Sequence, residues 1–203
     1  MSGNAQGVDI DMRVSGIDAL SIAGHKIGAP PGIGALIVPT ALPIQAQIIG
    51  GGQERGLRGG TENWLGILGL GAALEWLEIH QSSYIAHLQQ LDAVLAAGLA
   101  TCRADIVAPD APRLAGCVLL IAEDIEAQDI LMQLDQAGIA VSSGSACSSG
   151  TIADSHVLRA MGVRATLRAS AIRVSYGMQT TTEEIQHFLV HYRRCITKIS
   201  HRP

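Results

Sequence analysis

With 203 residues, 48% of them hydrophobic and 16% charged, the chain has the composition of a compact globular protein able to bury about 70% of its unfolded surface, which excludes a disordered tail. Its 14 basic and 18 acidic side chains leave a net charge of −4, so neither nucleic acid nor a membrane surface is an expected partner. The start, MSGNAQGVDIDMR, lacks the pattern of a signal peptide, and the longest nearly uncharged stretch, Trp64 to Leu74, is far short of the roughly 20 apolar residues that span a bilayer. A cytoplasmic location is expected. Cys102, Cys117, Cys147 and Cys195 are scattered, with no CxxC pair and no histidine at zinc-finger spacing, which argues against a structural metal site and a disulfide framework.

In chain order, Ile17 to Ile22 and Ile33 to Val38 read as short buried strands around the turn Gly28-Ala-Pro-Pro-Gly32. A glycine-dense stretch, Gly50 to Gly60, permits close backbone approach to a ligand or another subunit, and Asn63 to about Ile79 reads as a helix. From about Thr101 the pattern changes to a smaller α+β unit. Cys117 to Ala122 is a continuous apolar strand, and Ile130, Leu131, Leu134 and Ala137 mark a helical face closed by Gly138. Ile139 to Val141 is strand-like, Ser155 to Met161 is a short helix stopped by Gly162, and Ala171 to Tyr176 alternates like a strand. Thr181 and Glu184 form a capping box before Ile185, Phe188, Leu189, Tyr192, Ile196 and Ile199 on one helical face. A boundary near residue 80 divides the chain into 1–80 and 81–203.

Four places can carry chemistry. Ser142 to Gly150, SSGSACSSG, sets Cys147 on a tether of small residues, where a thiol can move and react, unlike one packed among bulky apolar neighbours. Lys26 directly follows an apolar strand, whose end would desolvate the amine and favour its neutral, nucleophilic form; a lysine merely emerging at a strand end is the plain alternative. Gly50 to Thr61, GGGQERGLRGGT, offers backbone N–H groups, two arginines and a hydroxyl to an anion near a helix start, or is simply a long surface loop. Arg173, inside AIRVSY, either awaits a carboxylate or forms an internal ion pair, the commoner fate of a lone arginine. His156 fits a surface helix start better than a base for Cys147, since no third orienting group is evident.

Together SIAGHKIGAPPGIGALIV, GGGQERGLRGGTEN, SSGSACSSG, SHVLRAMG and AIRVSYG resemble, in order and near spacing, the cysteine desulfurases of the NifS and IscS type. That resemblance implies an α/β fold: part of the aspartate aminotransferase-like large domain with its interdomain helix over 1–80, then a smaller α+β domain with a mobile cysteine loop over 81–203. It implies that Lys26 holds pyridoxal phosphate covalently, that His25 and Thr61 contact its phosphate, and that Arg173 binds the carboxylate of L-cysteine. In the family the threonine serves the neighbouring subunit's site, so Thr61 implies a homodimer. Cys147 would take the substrate's sulfur as a persulfide, releasing L-alanine. The 26 residues from Cys147 to Arg173 resemble the subgroup with a long cysteine loop, whose sulfur goes to an iron–sulfur scaffold or to a carrier for tRNA thiolation.

The same resemblance marks what differs. Only about 25 residues precede Lys26, so the family's ring-stacking histidine, ring-nitrogen aspartate and much of its parallel sheet are not expected here. Ala23 stands in place of a common phosphate-binding serine, a loss of about 1 kcal/mol, and Pro31 in place of a common lysine. Three functions follow: a desulfurase chain completed by an N-terminal half, which a separate chain could supply; a non-catalytic remnant that binds a partner; and a related lyase acting on selenocysteine, which SSGSAC disfavours.

Overall fold

The structure, a computed structural model, describes residues 2–3, 10–144 and 155–199, the outermost two at each end by backbone alone. The chain divides into two compact units, 1–83 and 84–203.

In the first unit, β1 (Ser2–Gly3) pairs antiparallel with β2 (Ile10–Asp11), and α1 (Met12–Ser15) is closed by Gly16 at φ 71°. β3 (Leu20–Ala23) and β4 (Gly34–Ile37) form a two-stranded antiparallel sheet with Leu20 opposite Ile37 and Ala23 opposite Gly34. Both strands are shorter than their apolar runs. Pairing stops after Ile37 because Pro39, two residues on, has no N–H for a ladder bond. At the other end the Ile33 carbonyl accepts from Gly24 N at 2.9 Å and closes the turn. Nor are the strands buried as expected: their residues alternate between half-buried and exposed.

The helix expected over 63–79 is longer. α2 runs from Trp64 to Leu99, starting where the Asn63 side chain accepts from Gly66 N at 3.1 Å as an N-cap. Between Ile79 and Ala97 no glycine or proline stops it. Its first turns lie close against the hairpin turn in the same unit, where a Cβ on Gly69 would meet the Pro30 ring at 2.5 Å.

In the second unit, β5 (Ala104–Ile106), β6 (Cys117–Ala122), β7 (Ser142–Ser143) and β8 (Ile172–Ser175) make a four-stranded antiparallel sheet in the order β5-β6-β8-β7. α3 (Ala127–Gln136) and α6 (Thr182–Ile199) share one buried cluster with this sheet and with Leu91, Leu95 and Leu99 of α2. The result is a layer of helices on a sheet around a single apolar core. α4 (His156–Ala160) and α5 (Ala165–Ala169) lie between β7 and β8 in sequence, and their Leu158 and Leu167 pack with Ile121 and Ala171.

Element ends follow local chemistry. Gly138, at φ 75°, donates to Asp135 O at 2.9 Å while Ile139 N reaches Leu134 O at 2.9 Å, the paired bonds of a Schellman cap. Gly162 and Val163 repeat that arrangement on Arg159 and Leu158. Because Ile139 completes the helix end, pairing with β8 begins only at Ser142, later than the strand expected over Ile139 to Val141. At α6 the capping box is complete: Thr181 N donates to Glu184 Oε2 at 2.8 Å and Glu184 N to Thr181 Oγ1 at 3.2 Å. No helix among the described residues is long and apolar enough to cross a membrane.

Candidate functional site

In the first unit the strand end builds a tight turn. After β3 the backbone enters a 3-10 turn over Gly24–Ile27, with Ala29 N donating to Gly24 O at 3.0 Å and Gly28 at φ 89°. Gly24 is buried, and a Cβ on it would meet the Ile33 carbonyl oxygen and side chain at 2.8 Å, so the turn closes only over glycine. His25 and Lys26 are thereby carried side by side on one turn, both exposed. The desolvation expected for Lys26 at the strand end is not found, because β3 belongs to a sheet of two half-exposed strands and buries little beside it.

The glycine-dense segment closes on itself. Ile48 and Arg58 form a bridge, Gly59 N donates to Ile48 O at 2.8 Å, and a Cβ on Gly59 would lie 2.6 Å from Gly50 N and Cα. The close approach that glycine permits here is therefore backbone to backbone within the chain. Glu54 and Arg55, at φ 49° and 59°, occupy the left-handed region that side chains disfavour. Thr61, two residues after the buried Gly59, is exposed. Gln53 was not singled out in the sequence, yet its Oε1 is buried under Gly51 without a hydrogen-bond partner among the described residues. The only signal available for it was a polar side chain among glycines.

In the second unit Arg173 alternates with core residues on β8: Ile172 and Val174 are buried, Arg173 and Ser175 exposed. It lies between Leu119 of β6 and Ser142 of β7 in register. The internal ion pair weighed for it is absent among the described residues, and period-two alternation turns it away from the cluster that buries Ile172 and Val174. Gly144 donates to Ala171 O at 2.8 Å and ends the described part of the SSGSACSSG loop; Cys147 lies outside the described residues. His156 begins α4 and is exposed. Beyond Arg173, the strand leads to Tyr176, whose hydroxyl donates to Asp92 of α2, and Asp92 also accepts from Gly116 N at 3.3 Å. Burial, reinforced by the Asp92 carboxylate, pushes the Tyr176 hydroxyl well above the ordinary tyrosine range. Among the described residues no group of three or more metal-ligating side chains occurs.

The family model described as aminotransferase class-V matches residues 1–188, and the chain belongs to that family. Its relatives narrow the likeness. It is 41% identical over 184 residues to a cysteine desulfurase of Gluconacetobacter diazotrophicus, covering 90% of this chain and 46% of that protein. Over 186 residues it is 38% identical to the cysteine desulfurase NifS of Azotobacter vinelandii, with the same coverage. Among solved structures, a NifS-like protein from Rickettsia africae superposes with a TM-score of 0.85 at 33% identity, covering 96% of this chain and 51% of that one. The fold is thus that of NifS-like, pyridoxal phosphate-dependent aminotransferase-fold proteins, over about half their length. The chain spans about half the length of the curated relatives it matches.

Proteins of this family are pyridoxal phosphate enzymes. The first unit fits such a group in its chemistry. An accessible primary amine is what covalent capture of an aldehyde requires, and an imidazole and an exposed hydroxyl are suitable donors to phosphate.

Proposed function

We propose that the chain is the part of a cysteine desulfurase that carries its attachment lysine, its substrate arginine and its sulfur-accepting cysteine. The observation that carries this reading is the 41% identity to a cysteine desulfurase across 90% of the chain, over a fold shared with NifS-like proteins. In this reading Lys26 holds pyridoxal phosphate, and His25 and Thr61 contact its phosphate. The bound cofactor supplies an electron sink for the carbanion chemistry of L-cysteine.

The chain's own residues do the rest. Arg173, exposed and without an ion pair among the described residues, offers its planar guanidinium to the substrate carboxylate. The Lys26 amine, when not engaged in holding the cofactor, would take and return the Cα proton of the substrate. The Cys147 thiolate attacks the substrate sulfur; the new S–S bond forms as the C–S bond breaks, leaving a persulfide on Cys147 and, after protonation, L-alanine. The persulfide then serves a scaffold for iron–sulfur clusters or a carrier for tRNA thiolation. The enzyme is a cytoplasmic homodimer, and its activity depends on the half of the family fold that these 203 residues do not span.

A second reading, a partner-binding chain without activity of its own, is favoured by the exposure of Lys26. One experiment separates them. The chain is mixed with pyridoxal phosphate, alone and with the complementary half of a relative, reduced with borohydride and weighed, and sulfide release from L-cysteine is followed. Attachment lost in Lys26→Ala and retained in Cys147→Ala, with persulfide and sulfide lost in the latter, is the expected result. Desulfuration surviving Cys147→Ala overturns the acceptor, and no attachment in any mixture leaves the partner-binding reading.

A further inference from the structure

α6 carries two histidines four residues apart, His187 and His191, which the function proposed above does not use. Side chains at that spacing stand one above the other on a helix, with Cβ atoms about 5–6 Å apart. Here the ring centroids are 4.5 Å apart and the planes are tilted by 53°, so the two imidazoles lie side by side without stacking flat. His187 is exposed and His191 half-buried, whereas Phe188, Leu189 and Tyr192 are buried in the core and hold the helix in place. His187 Nε2 lies 3.5 Å from the Ala137 carbonyl at the end of α3. A carbonyl can only accept, so this long contact favours the tautomer with the proton on Nε2 and leaves the Nδ1 lone pair open. His191 makes no hydrogen bond among the described residues, and its neutral ring likewise presents one nitrogen as an acceptor.

We propose that His187 and His191 form a two-imidazole site for a late first-row divalent metal ion: nickel, copper or zinc. Neutral imidazole suits these ions, whereas magnesium and calcium take oxygen ligands. The contact between His187 and Ala137 supplies what ligating histidines usually have, a carbonyl on the ring nitrogen that does not face the metal. The C-terminal end of α3 brings partial negative charge beside His187, and Glu183, one turn earlier on the same helical row, brings a carboxylate's charge. Against these stands Arg194, whose positive charge is felt at His191. No third ligating side chain gathers around the pair among the described residues, so the ion keeps positions for water or for a group from another molecule. None of these residues belongs to the cofactor or substrate groups proposed above, and the site stands or falls separately from the desulfurase reading.

The test is a titration with copper(II) held by iminodiacetate, which fills part of the coordination shell and leaves room for two imidazoles. It is added to the 203-residue chain at a pH above the ordinary histidine pKa of about 6.5, and binding is followed by calorimetry and by electron spin-echo modulation. One equivalent is expected to bind, with modulation from two imidazole rings. Affinity should fall at least about tenfold in His187→Gln and in His191→Gln, because the second imidazole no longer binds intramolecularly. His156→Gln, on the exposed start of α4, should bind as the parent chain does. Far-ultraviolet circular dichroism checks that the helices persist; if the half-buried His191 does not tolerate replacement, the exposed His187 decides alone. Saturable binding unchanged in His187→Gln, modulation from a single ring in the parent chain, displacement by excess magnesium, or no saturable binding each overturns the proposal.

Discussion

Tyr192 holds a hydroxyl in the middle of the second unit's core, fully buried and without a hydrogen-bond partner among the described residues. Its ring stacks on Phe188 with centroids 5.3 Å apart, so the ring contributes packing while the oxygen carries an uncompensated desolvation cost. Tyr192→Phe is therefore expected to leave stability unchanged or raise it by about 1 kcal/mol, read as the midpoint of urea unfolding. Tyr176→Phe should do the opposite and cost about 1 to 2 kcal/mol, because it removes the hydroxyl donor to Asp92 and leaves that carboxylate the longer bond from Gly116 N. Both hydroxyls are pushed above the ordinary tyrosine value, Tyr192 by burial and Tyr176 by burial and Asp92. Neither group therefore lowers stability through ionisation below about pH 10, where the unfolded chain still holds both protons, and stability falls as pH rises beyond it. Thermal unfolding compared at pH 8 and pH 11 should show that loss, reduced in Tyr192→Phe.

At the scale of elements, two glycines in α2 make opposite forecasts. A Cβ on Gly71 meets nothing within 4 Å, so Gly71→Ala should stabilise the chain by up to about 1 kcal/mol through helix propensity. Gly69→Ala gains the same propensity but drives a methyl into the rigid Pro30 ring, and overpacking at about 1 to 3 kcal/mol should win. Melting temperatures followed by circular dichroism decide both signs. Thr181→Ala should cost about 1 kcal/mol, since it removes the acceptor for Glu184 N. What could be read in advance followed the locality of the signal. The β6 strand, the capping box of α6 and the glycine stops at Gly138 and Gly162 are written in a few neighbouring residues and were legible. The length of β3, set by Pro39 across the pair, and the edge strand β5, with three residues and no pattern of its own, depend on partners distant in sequence. Lys26 was legible as a position but not as an environment, because its exposure depends on how many strands flank β3. Arg173 failed in the same way: the apolar letters around it were right, and the period-two geometry turned it outward.

Across the whole molecule, burial is uneven. Of the buried hydrophobic residues among those described, only Ala29, Leu70 and Leu77 fall in the first unit, while the second unit holds a continuous cluster through β6, β8, α3 and α6. Protection of backbone amides follows burial and secondary hydrogen bonding. Hydrogen exchange of the isolated chain should therefore be slow in 117–122, 172–175 and 185–196 and faster in 20–37. In the complex with the other half of the fold, the slowing should appear in 20–37 and at the start of α2. Equal protection of both units in the isolated chain would show that the first unit is stable without a covering partner.

The register between β6 and β8 also acts as an aiming device. Leu119 lies opposite Arg173 with Val118 opposite Val174, so the outward direction of the arginine is fixed by the same pairing that buries Ile172 and Val174. Inserting or deleting one residue in this strand would put a guanidinium into the core and a valine in water. Under the role proposed for Arg173, carboxylate recognition and folding would be tied to a single count of residues here.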